Sequence, residues 1–383
     1  MARKAGSWAL LGGLALAAAW QSGGCDAPPE APPAPPAMQE VLGSLPTNVV
    51  LPRLATFREQ LVLLKGPIEA WRTGGSAQDR DLARVAFVDA MRVWQELEAM
   101  QIGPIASALA SDHGQYLRDE IYSWPTVSPC RVDQETVEAG WSSPTWFDDN
   151  LVNVYGLDAL EHLLFAGPDN TCPGQIPINA DGTWDALGPA GVDANRAAYA
   201  SAVLDHLLVD VDRTRDALAA HPLDAATYGS EQAALNDVFD ALFYLETHVQ
   251  DRKMAEPLGL RDCTIDCLEL VESRGLSGAS HVWLAHDVIG VRDLFTGGEG
   301  PGFPELLAGS GRQDLADGFL AALDQAHADL VALPGPVDES SALAPAALER
   351  AYASVQAAAD ILRVDIATAL LLEIPNEAAG DND

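Results

Sequence analysis

Residues 151–165, LVNVYGLDALEHLLF, decide how the rest of the chain is read. The stretch is apolar almost all round and predicts one helix, yet it carries Gly156, Asp158, Glu161 and His162. On a helix, residues three, four and seven apart share a face. Val154, Leu157, Glu161 and Leu164 follow that spacing, so Glu161 lies on an apolar stripe with Asp158 one turn before it. Such a helix is normally buried, and a buried carboxylate is costly unless it is paired, protonated or bound to a metal. Two readings follow: an arginine or backbone partner inside a helical core, or a ligand or metal site.

Outward from this helix the periodicity stays helical. Ala86, Ala90, Val93, Leu97 and Met100 alternate at four and three, as do Leu348, Tyr352, Val355, Ala359, Leu362, Ile366 and Ala369. Leu235, Val238, Leu242, Leu245 and Val249 repeat the pattern, and residues 193–220 are rich in Ala and Leu. These are amphipathic helices of bundle length, and no alternating β-branched run suggests a strand. Pro67 is expected to break or kink the first long helix, Gly103-Pro104 to break the second, and His221-Pro222 to end a later one. Residues 111–145 and 168–190, long and rich in Pro, Gly and Asp, read as irregular loops or as stretches that contain short helices. The fold class is all-α, with two packed helical bundles. The expected domains are residues 46–185, carrying the motif helix, and residues 186–383.

The chain opens with Arg3 and Lys4, followed by an apolar run over residues 8–20 and small residues before Cys25. That order is a secretory signal, residues 1–25. Ser22-Gly23-Gly24-Cys25 resembles a bacterial lipobox, with Ser22 where such boxes carry Leu, so Cys25 is the expected lipidation site. Residues 26–45 begin DAPPEAPPAPPA and read as a Pro/Ala-rich linker that holds a soluble body off a membrane. The expected location is the periplasmic face of a bacterial membrane, reached through a lipid anchor. A net charge of −34 argues against nucleic acid as a partner. The four remaining cysteines, Cys130, Cys172, Cys263 and Cys267, suit disulfides in an exported chain. Cys263 and Cys267 can close a local bridge, and Cys130 and Cys172 can staple the loops flanking the central helix. Zinc is the alternative, poorly served by C-x3-C without a nearby histidine.

The sequence contains no P-loop, dinucleotide fingerprint, GxSxG or HExxH. His206 and Asp210 form a possible pair four apart, whereas His281 and His286 do not share a helical face. Residues 272–278, ESRGLSG, lead into an apolar helix that Ser277 is placed to cap. Arg274 and Ser277 are candidate ligand-binding residues facing the acidic pair.

The stretch YGLDALEHLLFAG resembles the signature of the imelysin family, the iron-regulated protein A-like group of bacterial envelope proteins. Their motif is Gly-x-His-x-x-Glu; Gly156 and Glu161 match it, and Asp158 stands where the histidine is expected. VWQELEAMQIGP (Trp94, Glu98, Gly103, Pro104), YSWPTV, RKMAEPLG and ESRGLSGAS are similar to further family segments in the same order, as is the tail ending Gly380-Asp381-Asn382-Asp383. The resemblance implies two helical bundles with a site between them, export or lipid anchoring, and a link to iron or other metal acquisition through envelope iron-uptake components. It also brings a peptidase label, for which no catalytic motif is readable. A zinc peptidase wants two histidine ligands and a glutamate base, and His162 lies about 100° round the helix from Glu161. On this reading Asp158, Glu161 and Glu98 are oxygen ligands for a divalent or trivalent cation such as iron. The alternative is a non-catalytic interaction lipoprotein with a structural acidic pair.

Overall fold

The computed structural model describes residues 37–375 other than Val127, Pro144 and Asp266. The segment read as a secretory signal, Cys25, most of the stretch read as a linker and the acidic tail lie outside the described residues. Ten helices carry the fold: α1 (Met38–Leu45), α2 (Leu51–Gly74), α3 (Ala77–Glu98), α4 (Pro129–Glu138), α5 (Leu157–Phe165), α6 (Thr183–Ala219), α7 (Glu231–Leu242), α8 (Ser280–Thr296), α9 (Gln313–Val331) and α10 (Pro345–Asp360). No strand occurs among the described residues, and no described helix is long and apolar enough to cross a membrane.

Helices α2, α3, α5 and α6 form the first bundle. The second is built from α8, α9, α10 and the π-helical segment Leu245–Ala255. Helix α6, placed by sequence position at the head of the second bundle, packs along α2 and α5 of the first. The bundles join where α3 crosses α8, and Gly290 permits that crossing: a Cβ there would sit 2.1 Å from the Glu96 carbonyl oxygen. The apolar stripes of both bundles meet in one core that runs from Val41 to Leu372, within one compact unit.

Several expectations change at the element ends. Helix α1 lies inside the stretch read as linker, and Val41, Leu42 and Leu45 are buried, because an amphipathic turn follows directly on the prolines. Pro67 does not break α2, which runs on to Gly74. Ser277 does not cap α8: the residue before that helix is Ala279, which has no side chain to do so, and Ser277 is drawn to another partner. Both cysteine pairs are disulfides, Cys130–Cys172 and Cys263–Cys267.

Candidate functional site

The central stretch is not one helix. Val152–Val154 forms a single 3-10 turn, Tyr155 leaves helical geometry, and α5 starts after Gly156 in extended conformation. Gly156 is required by close approach. A Cβ there would meet Val152 Cγ2 at 2.7 Å and the Ile121 carbonyl oxygen at 2.9 Å, the same oxygen that accepts from Leu157 N–H at 2.8 Å. The chain at 121–125 is thereby clamped against the first turn of α5, and this contact builds the site.

Asp158, in that first turn, accepts the backbone N–H and the hydroxyl of Ser123 on one oxygen, both at 2.6 Å. One turn on, Glu161 accepts the Ser273 hydroxyl at 3.1 Å and the Ser277 N–H at 3.3 Å. Ser273 is itself fixed by Trp283, whose indole N–H donates to its oxygen at 2.9 Å. Neither carboxylate forms an ion pair among the described residues. Burial pushes the Asp158 carboxyl up to about 7 in spite of the Ser123 bonds. Burial pushes Glu161 to about 7 as well, and repulsion from Asp158 adds to it. The pair therefore changes charge near neutral pH.

Both acids open onto a cavity of ≈ 410 Å³ whose walls include Trp124, Pro129, His162 and Leu276. The Cys130–Cys172 disulfide joins the segments that carry Pro129 and Thr171, two of its walls. A separate cavity of ≈ 240 Å³ is lined by Asp237, Tyr244 and His248. Its Asp237 is already engaged by the Tyr228 hydroxyl, the Gly103 N–H and the Ser111 hydroxyl.

The other sequence-predicted residues go elsewhere. Glu98 lies in a fully buried ionic network behind the cavity, bonded to Arg118 and 3.4 Å from the Lys253 ammonium. Lys253 also reaches Glu272 at 3.1 Å, Asp287 at 2.9 Å and Gln95 at 2.5 Å. Burial opposes its charge, but Asp287, Glu272 and Glu98 hold the ammonium well above the ordinary lysine value. Burial likewise opposes the charge of Glu98, which Lys253 and Arg118 keep below the usual carboxylate range. The Tyr122 hydroxyl donates to Glu272 at 2.5 Å and ties the network to the cavity wall. Arg274 lines the cavity, but its guanidinium pairs with Asp338 at 3.1 Å rather than with the acidic pair. Ser277 does meet Glu161, through its backbone.

Lys253, Glu272 and Asp287 were missed from sequence. Only Asp287 left a signal, as the one acidic residue in the apolar run WLAHDVIG; Lys253 stands beside Arg252 and Glu272 two residues before Arg274, in stretches that read as charged surface. Ser123 and Ser273 carried no signal, since any hydroxyl pattern would look the same. The residues do not supply the donor set of a resident metal ion. Among the described residues no three His, Cys, Asp or Glu side chains gather as one would require. Glu98 is held by cations, and the acidic pair is already bonded to serines.

A family model described as Imelysin, peptidase M75, matches residues 50–369. No curated protein is significantly similar. Among solved structures, one from Parabacteroides distasonis, described as an iron-regulated protein A precursor, superimposes with a TM-score of 0.66 at 16% identity, covering 88% of this chain and 96% of that one. An imelysin-like protein from Psychrobacter arcticum gives 0.60 at 15% identity, with the same 88% and 96% coverage. At such identities the likeness establishes the fold.

Proposed function

The chain belongs to the imelysin family, and from that premise we propose that it is an exported, iron-related envelope protein whose cavity binds a cationic cargo against Asp158 and Glu161. The metal enters this reading as cargo and not as a resident cofactor. One observation carries it: two neighbouring carboxylates, 5% and 4% exposed, face a cavity without an ion-pair partner among the described residues. Core carboxylates away from the cavity do have partners, as Glu98, Asp133 and Asp287 show. A charge left unpaired in a low-dielectric cavity is complementary to a cation that arrives from outside. The iron link rests on the family and on the description of the Parabacteroides protein as iron-regulated. Lipid attachment at Cys25 would keep the cavity at a membrane surface, within reach of envelope iron-uptake components.

The test is equilibrium dialysis of the mature protein against ferrous ion and against ferric citrate, beside the double substitution Asp158→Asn/Glu161→Gln. The reading expects uptake by the native chain and at least a tenfold loss in the substituted one, with helical circular dichroism unchanged. Equal uptake by both chains would place any bound iron elsewhere.

A further inference from the structure

His162 follows Glu161 on α5, is 3% exposed, and lines the cavity onto which Asp158 and Glu161 open. Its Nε2 lies 2.9 Å from Asp133 Oδ1. Asp133 is wholly buried and also accepts the Thr171 N–H at 2.7 Å, the Thr171 hydroxyl at 2.8 Å and an Arg196 N–H at 3.2 Å. Burial works against its charge, but the His162 and Thr171 bonds hold its carboxyl below the usual range. Asp133 is thus a carboxylate with no proton to give, and Nε2 must be the donor. In the uncharged ring the proton on Nε2 leaves Nδ1 as a lone-pair acceptor, and no described residue donates to it.

With the ring uncharged and both carboxyls ionised, the functional groups of α5 at this cavity are all acceptors. A carboxylate offers roughly four lone-pair positions. Asp158 and Glu161 each spend two on the serines, which leaves acceptor capacity on both. A dehydrated ion needs its whole shell filled by protein, about four positions for zinc and six or more for calcium or magnesium, whereas an ion held by two carboxylates keeps most of its own ligands. No three such protein ligands gather among the described residues. The volume, in contrast, is generous. Six waters at ~30 Å³ each would occupy less than half of the ≈ 410 Å³.

We propose that the cavity recognises its cation as an intact complex, still coated in ligands that carry N–H or O–H donors, with His162 Nδ1 as the third acceptor beside Asp158 and Glu161. This rests on the cation-binding reading and adds the class of cargo to it. The surface the cavity reads is then the donor shell of the complex, and the metal inside it needs no bond to the protein. Asp133 is a positioning residue: it selects the tautomer and does not touch the cargo.

The probe is hexaamminecobalt(III), an exchange-inert cation whose six ammine ligands are donors, titrated calorimetrically into the full mature protein at pH 7.5. Native protein should bind it, and His162→Phe should bind it about tenfold more weakly with its helical dichroism intact. Binding of ferrous ion without binding of hexaamminecobalt(III) would overturn the inference and leave the cation-binding reading standing. Failure of both probes would remove both. Unchanged affinity in His162→Phe would overturn the role of the imidazole. Should that variant not fold, nitrogen-15 spectra of histidine-labelled native protein at pH 7.5 decide: an unprotonated Nδ1 on His162 is expected, and a protonated Nδ1, whether Nε2 is bare or protonated, overturns the assignment.

Discussion

Replacing Asp158 with asparagine should stabilise the cargo-free protein at pH 8 and leave it nearly unchanged at pH 4. Asparagine keeps the local bonds, because both Ser123 donors converge on a single oxygen that the amide carbonyl can replace. What it removes is the charge. Folding raises the Asp158 carboxyl from 3.8 to about 7, chiefly through burial. A group raised on folding binds its proton more tightly in the native state. Its contribution is complete below the unfolded value, near pH 4, and is lost as pH climbs to the folded value, near 7. About three units at ~1.36 kcal/mol each give about 4 kcal/mol of stability that the native chain loses across that window and the asparagine variant does not. At roughly 2 °C per kcal/mol for a chain of this size, the variant should melt roughly 5–10 °C higher at pH 8. Glu161 should respond too, since Asp158 is one of the charges that raise its carboxyl. The assay is thermal unfolding by circular dichroism from pH 4 to 8.5 in chelator-treated buffer. A Tm difference that is the same at pH 4.5 and 8.5, or an asparagine variant that melts lower at pH 8.5, would refute the reasoning.

Gly156→Ala forces a methyl into Val152 and the Ile121 carbonyl, an overpacking that should cost about 1–3 kcal/mol, read as a shift in the urea midpoint without change in slope. Lys253→Met leaves Glu98, Glu272 and Asp287 with one fewer buried cation; the expected cost is about 3–5 kcal/mol, measured by urea denaturation. That cost should shrink towards pH 5, because burial already raises Asp287 and Glu272 and they take up protons first.

Helix identity was legible because the apolar spacing at Leu235–Val249 and Leu348–Ala369 runs along buried faces, whereas in α3 the buried face is Ala83, Phe87, Ala90, Met91, Trp94 and Leu97, and Ala86 and Val93 of the expected stripe are only half-buried. The joint at Gly290 was not: its reason is a backbone oxygen on another helix, which no local pattern reveals. At the site, Asp158 and Glu161 announced themselves as charges on an apolar stripe, and burial of both followed from that alone. The same argument misread the stretch before them. Val152–Val154 is as apolar as a helix, yet Gly156 and the Ile121 carbonyl interrupt it through a contact made 35 residues away in sequence. Glu98 shows the complementary error. Its place on a buried face was readable, but its partners, Arg118 and Lys253, come from distant segments, so a carboxylate expected to ligate a metal turns out to balance two cations. His162 was set aside because it points away from Glu161 around the helix, and that divergence lets it meet Asp133 while its ring still borders the cavity.

The central claim is that a cation occupies the cavity by taking the place of protons on Asp158 and Glu161. Calorimetric titration of ferrous ion into the mature protein at pH 6.5, in two buffers of different ionisation enthalpy, counts those protons directly. The account predicts release of about one proton per cation bound, with affinity rising from pH 6 to 8 and the release abolished in Asp158→Asn/Glu161→Gln. Binding with no proton release, and with the same affinity at pH 6 and 8, would contradict it.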